Sequence, residues 1–140
     1  MTALATDSNR VYELGDINQV PVKGSSIIYQ GAAVGGHSSG YARPIQNGDK
    51  FLGFADEKID NSGGSDGAKT VRVRKRGAIL LDIASVALGD IGKSVYATDD
   101  NTFTLSDTNA VYIGQISRID SSGVALVEFD VAALPPVIEE

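Results

Sequence analysis

Glycine is the feature that most restricts the fold of this chain, because it interrupts nearly every stretch long enough to form a stable helix. Sixteen of the 140 residues are glycine, which is about 11% against a usual ~7%. Short apolar segments bounded by glycine favour turns and short strands. The sequence therefore predicts an all-β fold with glycine-rich hairpins and at most one short helical turn.

The length and charge of the chain exclude several classes of protein. A chain of 140 residues, 42% of them hydrophobic, is long enough for one domain with a real core. With no cysteine, it can form neither a disulfide nor a cysteine zinc site. The formal net charge of −6 argues against a dedicated nucleic-acid binder, since such domains are usually basic. The start of the chain lacks the basic and apolar regions of a signal peptide, and no apolar run is long enough to span a bilayer.

The clearest predicted strand is 70–74, in which Val71 and Val73 share one face while Arg72 and Arg74 share the other. Residues 78–83 fit either a strand or a helix, and we favour a strand followed by a short helical turn. Predicted loops cover 35–40 and 61–67, and hairpin turns cover 99–101 and 120–123. The other predicted strands are 26–30, 50–56, 93–98, 102–106, 111–117 and 124–130.

Gly53 lies inside the predicted strand 50–56, which indicates a bulge or a close backbone approach. The pattern around it occurs again later in the chain: a strand with an early glycine, then a turn, then a returning strand. The two sets of segments are 52–54, 59–63 and 70–73, and then 113–115, 119–123 and 125–129. This repeated sequence pattern supports an all-β fold with repeated hairpins.

The chain divides into an extended N-terminal arm over 1–18, a β-rich domain over 19–134 and a tail over 135–140. In the arm, Val11, Tyr12, Leu14 and Ile17 are apolar but too few for a stable helix. We predict that they bind a partner surface, the alternative being a frayed terminus. The two prolines that open the tail cannot continue a strand ladder.

A basic cluster is the only strongly charged feature. Lys69, Arg72, Arg74, Lys75 and Arg76 are five of the twelve basic residues. As a functional site, Arg72, Arg74, Lys75 and Arg76 would face an acidic partner surface or a nucleic acid. The alternative is a solvated outer face of the kind that protects sheet edges from aggregation.

Three patterns suggest chemistry but lack its full requirements. Gly92-Lys93-Ser94 ends like a phosphate-binding loop, yet Ala87 replaces the required glycine and a strand follows instead of a helix. His37 has two serines beside it, but nothing in the sequence supplies an orienting acid. The acidic clusters near 56–60 and 99–107 lack the calcium-loop spacing. We therefore predict no enzyme activity, no cofactor, no metal and no small-molecule substrate.

The order of three motifs resembles the capsid cement, or head decoration, proteins of tailed bacteriophages. The motifs are Phe51-Leu-Gly-Phe-Ala, Gly89-Asp-Ile-Gly-Lys-Ser-Val-Tyr and Tyr112-Ile-Gly-Gln-Ile, and the resemblance covers roughly residues 20–130. It implies a small β-tulip-like barrel that sits as a homotrimer at three-fold and quasi-three-fold positions. The implied partner is the major capsid protein of the expanded shell, contacted in part by the arm. The implied location is the outer capsid surface of the virion, after synthesis in the host cytoplasm.

Two other functions stay open at this point. Glycine-rich hairpins and the basic strand also suit an oligonucleotide-binding β-barrel, although the net charge and the few aromatic residues weigh against nucleic acid. A small hydrolase centred on His37 would need a nucleophile and an acid around that side chain.

Overall fold

A computed structural model describes residues 3–11 and 13–133. This part of the chain is mainly β, and its one helical element is a short 3-10 turn at Leu88–Asp90. The strands are β1 (Ile17–Pro21), β2 (Ser26–Ile28), β3 (Ala33–Gly36), β4 (Ala42–Pro44), β5 (Lys50–Ala55), β6 (Ile59–Asn61), β7 (Thr70–Arg74), β8 (Arg76–Asp82), β9 (Ser94–Asp99), β10 (Thr102–Thr104), β11 (Val111–Ser121) and β12 (Val124–Asp130).

Two five-stranded antiparallel sheets form most of the molecule. Their strand orders are β1-β7-β5-β3-β4 and β10-β9-β11-β12-β8, and β2 pairs separately with β6. The all-β prediction is confirmed, whereas the sheets do not close into the expected barrel. In each sheet the two edges meet only at one isolated parallel bridge, Val22 to Ala42 in the first and Ile83 to Phe103 in the second.

The two sheets have the same topology, which gives the repeated sequence pattern a structural basis. If the strands of each sheet are numbered along the chain, both sheets have the spatial order 1-5-4-2-3. β1, β3, β4, β5 and β7 therefore correspond to β8, β9, β10, β11 and β12. β2 and β6 belong to the first half only. The chain is thus a tandem pair of similar β units.

Backbone hydrogen bonds match between the two units. The Gly31 N–H donates to the Ala55 carbonyl at 2.9 Å, and the Gly92 N–H donates to the Ile116 carbonyl at 2.8 Å. Both glycines have a positive φ, 88° for Gly31 and 89° for Gly92. In both units, a glycine with a positive φ therefore precedes the second strand, which is β3 in the first unit and β9 in the second.

Gly53 and Gly114 hold equivalent positions where the backbone approaches a neighbouring strand closely. Gly53 pairs with Val34 on one side, and a Cβ added to it would clash with the carbonyl of Arg74. A Cβ on Gly114 would clash in the same way with the carbonyl of Glu128. The prediction that Gly53 marks a close backbone approach is confirmed.

The predicted loop over 35–40 is wrong in its first two residues. Gly35 and Gly36 belong to β3. This strand passes so close to the Asp49 side chain and the Ile45 backbone that a Cβ on Gly35 would clash with both. Two glycines look like a loop in sequence but can occupy a crowded strand.

Other predicted boundaries shift by a few residues. The strand predicted over 26–30 ends at Ile28, and the one predicted over 111–117 runs on to Ser121. Two register shifts bend this long strand against β12. The strand and helical turn predicted after residue 78 are both present, as β8 and the 3-10 turn.

Each unit carries its own part of the core. The larger cluster lies mostly in the second unit and includes Phe54, Phe103 and Phe129, with the half-buried Phe51 packed against it. Phe54 and Phe129 meet edge to face with centroids 4.9 Å apart. The smaller cluster fills the first unit, where Val71 and Val73 are completely buried. Phe54 comes from the first unit, so this side chain joins the two halves.

Candidate functional site

The N-terminal arm carries apolar side chains that nothing in the described part of the chain covers. Residues 3–11 and 13–16 form neither helix nor strand. Val11 is 96% exposed and Leu14 is 91% exposed. Ile17 instead begins β1 and pairs with Arg74, so it belongs to the folded domain together with Asn18. Tyr12 lies outside the described residues.

The base of the arm is fixed to the basic cluster, a meeting that the sequence did not predict. The Lys75 N–H donates to the Asp16 carbonyl at 2.8 Å. The Arg76 Nε donates to Asp16 Oδ1 at 2.7 Å, and its Nη2 donates to the Leu14 carbonyl at 3.4 Å. The Asp16 carboxylate, which accepts this bond, raises the pKa of Arg76. The arm therefore leaves the domain in a defined direction at Asp16.

The other two arginines of the cluster share one carboxylate. Arg72 and Arg74 lie on the same face of β7, as predicted, and each donates from Nε to Asp56 at 3.0 Å. The bond from Arg72, more than that from Arg74, holds the pKa of Asp56 below its usual value. Glu57 accepts a further bond from the Arg72 backbone N–H at 3.0 Å.

Carboxylates thus offset most of the charge of the basic cluster. Three of them, Asp16, Asp56 and Glu57, contact its arginines. Since a phosphate backbone is bound through free cations, the paired arginines favour a structural role over nucleic-acid binding. Arg74 and Arg76 nevertheless stay more than half exposed, at 62% and 53% of their side chains, and can contact a protein partner.

A groove that the sequence did not predict runs beside the base of the arm. It has a volume of about 680 Å³, and its lining includes Asp16, Arg74 and Arg76. Tyr112, Gln115 and Glu128, on β11 and β12, also line it. Burial and the neighbouring Tyr96 raise the pKa of Tyr112. The alternation of β11 and β12 could have indicated that Tyr112 and Glu128 face outward, but not that they line the same groove as Asp16.

The patterns that suggested chemistry form local turns. Lys93 bonds Asp90 at 2.8 Å and is followed by β9 rather than by a helix. The His37 Nδ1 accepts the Ser39 backbone N–H at 3.0 Å and lies 2.7 Å from the Ser39 hydroxyl. Of the hydrogen bonds within residues 3–11 and 13–133, none joins this imidazole to a carboxylate.

Acidic side chains in the loops bond their own turns. Asp99 accepts from the Asn101 N–H at 2.8 Å, and Asp60 accepts from the Ser62 N–H at 2.9 Å. Within the described ranges, no three His, Cys, Asp or Glu side chains are grouped so that they could hold a metal ion. Among those same residues, no helix has the length and hydropathy needed to cross a membrane.

No protein-family model matches this chain, and no curated protein matches it either.

Proposed function

We propose that this protein decorates the outside of an expanded tailed-bacteriophage head, where it binds the major capsid protein as a homotrimer at three-fold and quasi-three-fold positions. Its place would be the outer capsid surface of the virion, after synthesis in the host cytoplasm. The motif resemblance over roughly residues 20–130 supports this proposal. The observation that carries it is an arm with nearly fully exposed Val11 and Leu14, fixed at its base to a rigid β domain.

Apolar burial alone does not hold such an arm on a shell. Ordering the arm on a surface costs backbone entropy, and burying Val11 and Leu14 offsets part of that cost by about 3–6 kcal/mol together. Backbone hydrogen bonds between the arm and the shell would stabilise the bound arm further. A trimer carries three arms, and the first to bind raises the effective concentration of the other two.

The experiment compares the double variant Val11→Asp/Leu14→Asp with a matched control, Leu88→Asp. All three side chains are exposed, at 96%, 91% and 73%, so none of the substitutions removes a core contact. Loss of about 3–6 kcal/mol of apolar burial corresponds to a Kd higher by about two to four powers of ten. Binding is measured by co-sedimentation with expanded heads.

Thermal unfolding of both variants shows whether the domain stays intact. We expect both to unfold like the parent protein, since exposed positions contribute little to stability. If the arm variant binds heads as tightly as the Leu88→Asp control, the arm does not attach the protein.

A further inference from the structure

The turn between β4 and β5 exposes an asparagine that is followed by a glycine. The Asp49 N–H donates to the Gln46 carbonyl at 3.0 Å, so Asn47 and Gly48 are the two central residues of this β-turn. Both are exposed, and Gly48 has a φ of 93°, which glycine adopts readily. Across the residues that the structure describes, no hydrogen bond involves the Asn47 side-chain amide or the Gly48 N–H. These two groups are therefore available for a reaction with each other.

We propose that Asn47 is a site of deamidation through a cyclic imide formed with the Gly48 backbone. The Gly48 nitrogen gives its proton to hydroxide and attacks Cγ of Asn47. The Cγ–Nδ2 bond then breaks, and Nδ2 takes a proton from water and leaves as ammonia. Water opens the five-membered ring at either carbonyl, which yields aspartate or isoaspartate, so the net reaction consumes water and releases ammonia. Glycine favours ring closure because no Cβ hinders the approach of its nitrogen.

The other asparagines are less suited to this reaction. Asn47 is the only asparagine of the sequence that precedes a glycine. Asn61 precedes the small Ser62, but its side chain belongs to a residue that is only 1% exposed. Its Nδ2 donates at 3.0–3.3 Å to three backbone carbonyls, those of Val22, Lys23 and Ser65. Burial keeps water from this amide and the hydrogen bonds hold it in place, so Asn47 should react first.

The same turn positions a carboxylate that is almost completely buried. Asp49 accepts hydrogen bonds from the Arg43 Nε at 3.0 Å and the Arg43 Nη2 at 2.7 Å. It also accepts from the Gln46 N–H at 3.0 Å. The Asp49 side chain is 3% exposed and lies against Gly35 in β3, where a Cβ would clash with it. The length of the turn therefore determines whether Asp49 reaches all of these contacts.

The two products of ring opening affect the turn differently. Aspartate keeps the normal backbone and adds a negative charge at an exposed position, where substitutions usually change stability little. Isoaspartate routes the backbone through Cγ and lengthens the turn by one carbon atom. The longer turn cannot hold Asp49 in all of its contacts, and separating a nearly buried carboxylate from its arginine destabilises the fold. The modification needs no capsid and no partner, so it goes beyond the proposed function and does not depend on it.

Peptide mapping by mass spectrometry tests the site, on the folded chain incubated at mildly alkaline pH. Deamidation is detected by the mass change when a hydroxyl replaces the amide NH2, and isoaspartate is counted by labelling with an isoaspartyl methyltransferase. We expect Asn47 to be converted before Asn61 and before the exposed Asn101, which precedes a threonine. The rate should rise with pH, because the attacking nitrogen must lose its proton. Conversion of Asn47 no faster than that of Asn101 would overturn the proposal.

Thermal unfolding tests the consequence for Asp49. In the parent chain, the midpoint temperature of the isoaspartate form should be lower by about 5 °C or more. Freshly purified Asn47→Asp should unfold like the parent, since it carries the charge on a normal backbone. Incubated Asn47→Gln should also keep its midpoint, because its longer side chain closes a six-membered ring far more slowly. An isoaspartate form that unfolds like Asn47→Asp, or an Asn47→Gln variant that loses as much stability on incubation, would overturn the link between this turn and Asp49.

Discussion

Replacing Gly53 and Gly114 by alanine tests the duplicated architecture at its two equivalent close approaches. At Gly114 the added Cβ would clash with the Glu128 carbonyl, and relieving such overpacking costs about 1–3 kcal/mol. At Gly53 the same kind of clash, with Arg74, adds to a φ of 122°. A positive φ costs an L-residue roughly 1–2 kcal/mol more. We therefore expect Gly53→Ala to destabilise by about 2–5 kcal/mol, more than Gly114→Ala.

Gly63→Ala is the matched control, because an added Cβ there has no atom within 4 Å. Its free energy of unfolding should stay within about 0.5 kcal/mol of the parent value. Urea denaturation of the three variants gives these free energies, and an unchanged m-value shows that the unfolded states are comparable. Equal stability of Gly53→Ala and Gly63→Ala would refute the close approach, and a Gly114→Ala variant as stable as the parent would refute the equivalence of the two units.

Two further predictions concern the packing between the units and the arginine pair. Phe54 contacts phenylalanines of both halves and is 3% exposed, so Phe54→Ala should cost about 3–5 kcal/mol in urea denaturation, against less than about 0.5 kcal/mol for exposed Leu88→Ala. The folded-state pKa of Asp56 is lowered, so the stability from its ionised form is present above its unfolded pKa and is lost as the pH falls through its folded pKa. Asp56→Asn should therefore be less stable than the parent at neutral pH, and that difference should shrink in acid; a constant difference from about pH 7 to about pH 2 would contradict the assignment.

Segments with strict alternation could be predicted from sequence, because burial of one face specifies both strand and orientation. Val71 and Val73 are buried with Arg72 and Arg74 opposite, as predicted. The hairpin at 99–101 could also be predicted, because an acidic turn between two alternating segments is specified by neighbouring residues and needs no distant partner. Gly35 could not be assigned to a strand in this way, because glycine is needed there by the close approach of the distant Asp49.

The candidate site was predicted only in part, for the same reason. The apolar residues of the arm and the basic strand β7 could each be predicted from the sequence. That Asp16 and Arg76, 60 residues apart, bond each other depends on the pairing of β1 with β7. The groove likewise depends on where the two units meet, because residues of both units line it.

Co-sedimentation of the chain with tailed-phage heads tests the proposed function most directly. Expanded and unexpanded heads are compared at the same subunit concentration, with the bound protein measured at increasing input. The proposal predicts saturable binding to expanded heads and little binding to unexpanded ones. Protein that stays in the supernatant with both kinds of head would contradict a role in capsid decoration.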